Sequence, residues 1–180
     1  KIFSSDSTSE KKLDRFCPAA RHSFKKCMDL LANEDLTELG LGNYLPITAG
    51  NAIEAELKAR TTDVDQVSLE EIKRETGLRP SPNAKDTSKF QLGNFVFLLE
   101  NFSELSALSK SKMVSLNRMY KDKDFQIFVE AVKNISEARN AVAHVSNFMK
   151  AEDVGRTIAV VEELKPNINV CISMLEKTTL

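Results

Sequence analysis

The sequence predicts an all-α protein, and three observations carry that expectation. Apolar residues recur at helical intervals in one segment after another, helix-start and helix-stop residues bracket several of those segments, and no pair of alternating stretches reads as two strands. With 180 residues and 42% apolar composition, the chain can build one well-formed core and is short for two. The expected organisation is therefore a leader or linker over residues 1–12, rich in serine and threonine from Ser4 to Ser9, and one helical domain over 13–180. An opening Lys1 in place of methionine fits a domain of a longer polypeptide or a trimmed one.

The elements follow in order. Arg21 to Leu31 places Phe24, Cys27, Met28 and Leu31 on one helical face, and Gly40 and Gly42 break the pattern between Asn33 and Asn43. Pro46 opens a second helix, with Thr48 as its expected cap ahead of Ala52, Ile53 and Leu57. Ser68-Leu69-Glu70-Glu71 reads as a capping box that starts a short helix, and Gly77 ends it. Leu78 to Lys89, with Pro80 and Pro82, reads as an irregular connection. Leu92 to Leu108 is dense in apolar residues at helical spacing and belongs in the core. Asp122 and Asp124 are placed to cap a long helix over Asp124 to Lys150, which carries Phe125, Phe128, Val129, Val132, Ile135, Val142 and Met149 as its apolar stripe. A last helix spans Asp153 to Leu175, and Pro166 inside it is expected to kink or divide it.

Charge and motif content narrow the function. Twenty-five basic against 26 acidic residues give a net charge of −1, which excludes a strongly basic coat, so any contact with nucleic acid must be local. Basic residues gather at Arg21, Lys25 and Lys26, at Lys110, Lys112 and Arg118, and at Lys121 and Lys123; such runs read first as solvated helix faces. Cys17, Cys27 and Cys171 are odd in number and lack metal-ligand or CxxC spacing, and are expected to be reduced packing residues. Neither a signal peptide nor an apolar run of membrane-spanning length is evident, so no membrane partner and a cytoplasmic setting are the expectation. Glycine-rich phosphate loops, zinc-ligand pairs and nucleophile elbows are missing from the sequence, and no cofactor or metal is expected.

One stretch stands apart. Arg139-Asn140-Ala141-Val142-Ala143-His144 puts an arginine, an amide and one of two histidines within two helical turns. Projected at about 100° per residue, Arg139 falls within the apolar stripe beside Val132 and Ile135. A guanidinium there needs water, a counter-charge or an anionic ligand. Asn140 and His144 lie one turn apart on a face that begins roughly 100° around from Arg139. His22 has no comparable neighbours and reads as a surface residue.

This hexad resembles the arginine, polar residue and histidine signature of the HEPN superfamily, carried on a long late helix of a small all-α domain. Phe90 to Leu99, with Leu92-Gly93, resembles the leucine-glycine opening of the preceding helix in several branches, and Asn51 to Leu57 resembles that fold's acidic, apolar early helix. The likeness spans roughly residues 20–175. It implies a HEPN-like bundle of about five to seven helices, and homodimers in which hexads from two protomers border one cleft. It also implies a toxin or antiphage effector restrained by an inhibitor or antitoxin protein.

The chemistry suited to such a centre is metal-independent endoribonucleolytic cleavage, with a 2′-hydroxyl attacking the neighbouring phosphate of an RNA substrate. His144 is the expected proton carrier, because an imidazole titrates near neutrality. Arg139 is expected to hold the phosphate oxygens with its planar donor fork, and Asn140 to orient the imidazole or the scissile group. Two other readings stay open. The domain is a catalytically silent nucleotide-binding or protein-interaction module, or Arg139 is structural and pairs with a carboxylate such as Glu54, Glu56 or Glu100.

Overall fold

The computed structural model describes residues 13–32, 44–64, 66–77, 87–145 and 154–179, with side chains at 66–68, 143–145 and 154–161 outside the description. The expected leader over 1–12, the glycine break at 33–43 and the prolines of 78–86 lie outside the described residues. Eight α-helices and no strand are found among the described residues: α1 (Pro18–Ala32), α2 (Tyr44–Arg60), α3 (Gln66–Thr76), α4 (Leu92–Glu100), α5 (Ala107–Ser111), α6 (Val114–Tyr120), α7 (Phe125–Val145) and α8 (Val154–Lys177). The protein is all-α, with one helix more than the expected five to seven.

Helix α2 is the hub. Leu45, Pro46, Ala49, Gly50, Ala52, Ile53, Glu56 and Leu57 are buried on several of its faces, because α1, α4, α7 and α8 all pack against it. Each neighbour contributes an apolar stripe at helical spacing: Ala20, Phe24 and Cys27 from α1, Phe95, Leu98 and Leu99 from α4, Phe128, Val132 and Ile135 from α7, Ile168, Cys171 and Leu175 from α8. Fully burying one such Phe or Leu contributes about 1.5–3 kcal/mol, so this shared core holds the helices in place. Helix α7 touches α2, α4 and α8 and thereby carries its own C-terminal half to a fixed position.

Several local expectations are corrected. Thr48 is not a cap: α2 begins at Tyr44, and the Thr48 hydroxyl donates back to the carbonyls of Tyr44 at 2.8 Å and Leu45 at 3.1 Å. Ser68 likewise lies inside α3, which starts at Gln66, whereas Gly77 ends that helix as expected, with φ of +74° and its N–H on the Lys73 carbonyl at 2.8 Å.

The apolar run from Leu92 to Leu108 is broken. The Asn101 side chain donates to the Phe97 carbonyl at 2.9 Å as α4 stops, a 3₁₀ turn follows at Phe102–Glu104, and Ser106 caps α5 by accepting from the Ser109 N–H at 3.1 Å. Carboxylates of distant segments hold this connection: Glu75 of α3 accepts from the Ser106 N–H at 3.0 Å, and Asp63 in the turn after α2 from the Val114 N–H at 2.8 Å. Asp122 accepts from the Asp124 N–H at 2.9 Å, and both carboxylates take Lys177, at 2.9 and 2.8 Å, so these residues tie the start of α7 to the end of α8. Pro166 lies inside α8 without dividing it.

All three cysteines are free thiols, Cys27 and Cys171 buried and Cys17 half-buried. Burial pushes the Cys27 thiol up to about 12 and raises Cys171 as well, so neither forms a reactive thiolate. No helix among the described residues is long and apolar enough to cross a membrane.

Candidate active site

Helix α7 leaves the core where the hexad begins. Val132, Ile135 and Ser136 are buried, whereas Glu137 is exposed, Ala138 and Arg139 are half-buried, and Asn140 and Ala141 face solvent. Of the two-turn stretch singled out in the sequence, Asn140 and Ala141 are thus presented by the bundle, whereas Arg139 and Val142 are half-buried.

Arg139 meets α2 there. Its Nη1 donates to Glu54 Oε2 at 3.0 Å and to Asn51 Oδ1 at 3.2 Å, and the side chains of Arg139 and Glu54 keep only 16% and 17% of their exposure. A Cβ placed on Gly50 would sit 2.7 Å from Arg139 Cδ and 3.2 Å from its Nε, so the arginine stem lies directly on the bare glycine backbone of α2. Gly50, Asn51 and Glu54 occupy adjoining positions on one face of α2, and Glu54 is shared: its Oε1 lies 3.6 Å from Lys58 Nζ, one turn further along.

The charge on the apolar stripe therefore has a structural partner. Of the three carboxylates considered for it, Glu54 is the one that pairs with Arg139; Glu56 binds Arg60 at 3.1 Å, and Glu100 lies 3.6 Å from Lys133. The pairing uses one end of the guanidinium. Among the described residues, Nη2 and Nε of Arg139 hold no hydrogen bond, which leaves the donor edge suited to an anion unengaged.

Asn140 follows Arg139 directly and is exposed, so its amide can meet a ligand lying along α7. His144 belongs to the last turn of α7, one turn beyond Asn140, and its side chain lies outside the described residues. His22 is exposed on α1, remote in sequence from the hexad, as the sequence reading expected.

Sequence reasoning missed Gly50, Asn51 and Lys58. A glycine inside an otherwise regular helical pattern was the available signal, since it marks a close approach by another chain segment. Asn51 three residues before Glu54 on a mostly apolar helix was the second.

Three residues of the basic clusters have neighbours of their own. Lys112 binds Glu71 at 2.5 Å, Lys110 lies 4.6 Å from the Tyr120 ring centre, and Arg21 is 3.8 Å from Asp14. Arg139 and Lys58 are the two cations that share the carboxylate of Glu54 beside the hexad. No family model, curated protein or solved structure matches this chain.

Proposed function

We propose that this chain is a metal-independent endoribonuclease of the HEPN type, with Arg139, Asn140 and His144 bordering the scissile phosphodiester of an RNA substrate. The 2′-oxygen attacks phosphorus and the bond to the 5′-oxygen breaks, leaving a cyclic phosphate. His144 takes or returns a proton in that exchange, Arg139 offsets the charge developing on the phosphate oxygens, and Asn140 orients the reacting groups. Two copies paired across a twofold axis bring two hexads to one cleft, and an inhibitor protein restrains the activity of a toxin or antiphage effector in the cytoplasm.

The observation that supports this reading most is the one-ended anchoring of Arg139. Glu54, Asn51 and the bare backbone of Gly50 hold the half-buried guanidinium through Nη1, while Nε and Nη2 take no hydrogen-bond partner among the described residues. An oriented donor fork with two nitrogens unengaged suits phosphate, whereas a purely structural arginine gains more by engaging both edges.

A second reading has its own support: Glu54 already offsets the Arg139 charge, as befits a silent module that binds a nucleotide or a protein. Incubating the purified protein with RNA in excess chelator separates the two. The ribonuclease reading expects cleavage with cyclic-phosphate ends that disappears when the nucleotide before the scissile bond carries 2′-deoxyribose. Intact RNA under all conditions, with retained nucleotide binding that Arg139→Ala weakens, supports the silent module instead.

A further inference from the structure

We propose that Lys58 is a second phosphate-binding residue of this site, and that Glu54 is a counter-ion shared between Lys58 and Arg139 from which the lysine is released to a phosphate. The inference rests on the ribonuclease reading and extends its substrate contacts from α7 onto α2. Glu54 divides its oxygens: Oε2 lies 3.0 Å from Arg139 Nη1, and Oε1 lies 3.6 Å from Lys58 Nζ. One carboxylate thus stands between two cations, and the group keeps a net charge of +1.

The two pairings differ in strength. The Arg139 contact is a hydrogen-bonded ion pair supported by Asn51, whereas the Lys58 contact is longer and its side chain is 36% exposed. A pair one turn apart on a helix, at 3.6 Å and with the lysine partly exposed, adds little to stability and gives way to a competing anion. A polyanion approaching the open edge of Arg139 meets Lys58 along the same face of α2. The lysine then moves from the carboxylate to a phosphate next to the scissile one, and Glu54 stays to hold Arg139 in place.

Glu54 also has a cost for binding, since its negative charge opposes any phosphate entering the site. It therefore raises the threshold for weakly held anions and favours a chain that presents two phosphates in succession. In a protein with no basic coat, a local pair of cations is a means of gripping a single strand.

The experiment titrates a single-stranded oligouridylate, 2′-O-methylated throughout so that it resists cleavage, against wild type, Lys58→Gln, Glu54→Gln and Arg139→Ala at several salt concentrations. Fluorescence anisotropy reads the binding, and thermal melting verifies folding. Lys58→Gln is expected to weaken binding several-fold and to reduce the slope of log K against log salt by about 0.7, the release expected for one phosphate contact on a single strand. Glu54→Gln, whose amide oxygen still accepts from Arg139, is expected to bind more tightly than wild type.

Unchanged affinity and slope in Lys58→Gln overturn the lysine's role, and weaker binding by Glu54→Gln overturns the counter-ion role. If either occurs while Arg139→Ala abolishes cleavage of ordinary RNA, the ribonuclease reading stands and the inference alone fails. If wild type binds no better than Arg139→Ala and cuts nothing, both fail.

Discussion

Arg139 and Gly50 make each other possible. The arginine stem crosses α2 where no side chain stands, and any Cβ at residue 50 collides with its Cδ at 2.7 Å. Gly50→Ala improves helix propensity by about 1 kcal/mol, which offsets part of the steric cost, so its effect on melting temperature is expected to be small. Its effect on cleavage is expected to be large, because the guanidinium must leave Asn51 and Glu54. Parallel melting and cleavage assays check this, and full activity in Gly50→Ala contradicts the anchoring.

Arg139→Lys tests the same geometry differently: a point charge can pair with Glu54 yet cannot also present a planar fork, so a stable, nearly inactive variant is expected. The residue-level site was partly legible in the sequence. The projection located a charge on an apolar stripe and named Glu54 among its partners, but Gly50 and Asn51 were silent because helical periodicity describes one helix and not what crosses it.

At the scale of elements, the helices with strong apolar periodicity were legible, and their boundaries were less so. Thr48 and Ser68 have the chemistry of caps, yet α2 and α3 begin earlier; for α2, tertiary burial of Leu45 and Pro46 extends the helix past the local signal. The break after Glu100 escaped notice because it depends on Asn101 and on carboxylates from distant segments, Asp63 and Glu75.

Gly77 was legible because a left-handed residue at a helix end has one preferred side chain, none. Nothing lies within 4 Å of the position a Cβ would take there, so Gly77→Ala isolates backbone strain from crowding. It is expected to destabilise the fold by about 1 kcal/mol in chemical denaturation. An unchanged unfolding midpoint contradicts that account of the α3 terminus.

For the whole molecule, a buried polar clasp sets how the bundle closes. Arg60 at the end of α2 bonds Glu56 through Nε at 3.1 Å, Thr178 through Nη1 at 2.9 Å, and Thr179 at 2.9 Å together with the Leu175 carbonyl through Nη2. Glu56 in turn accepts from the Cys17 N–H at 3.0 Å, so one ion pair joins the start of α1, the end of α2 and the C-terminus of α8. The side chains of Arg60 and Glu56 keep 9% and 5% of their exposure, and burial pulls the Arg60 pKa below the usual arginine value while Glu56 opposes it.

Arg60→Ala leaves a buried carboxylate and the end of α8 unpaired, and is expected to cost about 3–5 kcal/mol in equilibrium unfolding. A loss below about 1 kcal/mol, the level of an exposed pair, contradicts the clasp. The contrast with Arg139 is one of engagement: Arg60 bonds through all three guanidinium nitrogens, whereas Arg139 bonds through Nη1 alone among the described residues. Fold class was legible from periodicity because every packed helix repeats its pattern; the clasp was not, since it joins residues separated by more than 100 positions.

The proposed RNA-cleaving centre at the hexad of α7 is tested by comparing wild type, Arg139→Ala and His144→Ala on one RNA in chelator. The account predicts cleavage by wild type, with cyclic-phosphate ends, and loss of at least two orders of magnitude in each folded variant, the scale of a removed acid–base or charge-stabilising group, roughly 10²–10⁴-fold. Cleavage by both variants at the wild-type rate contradicts it.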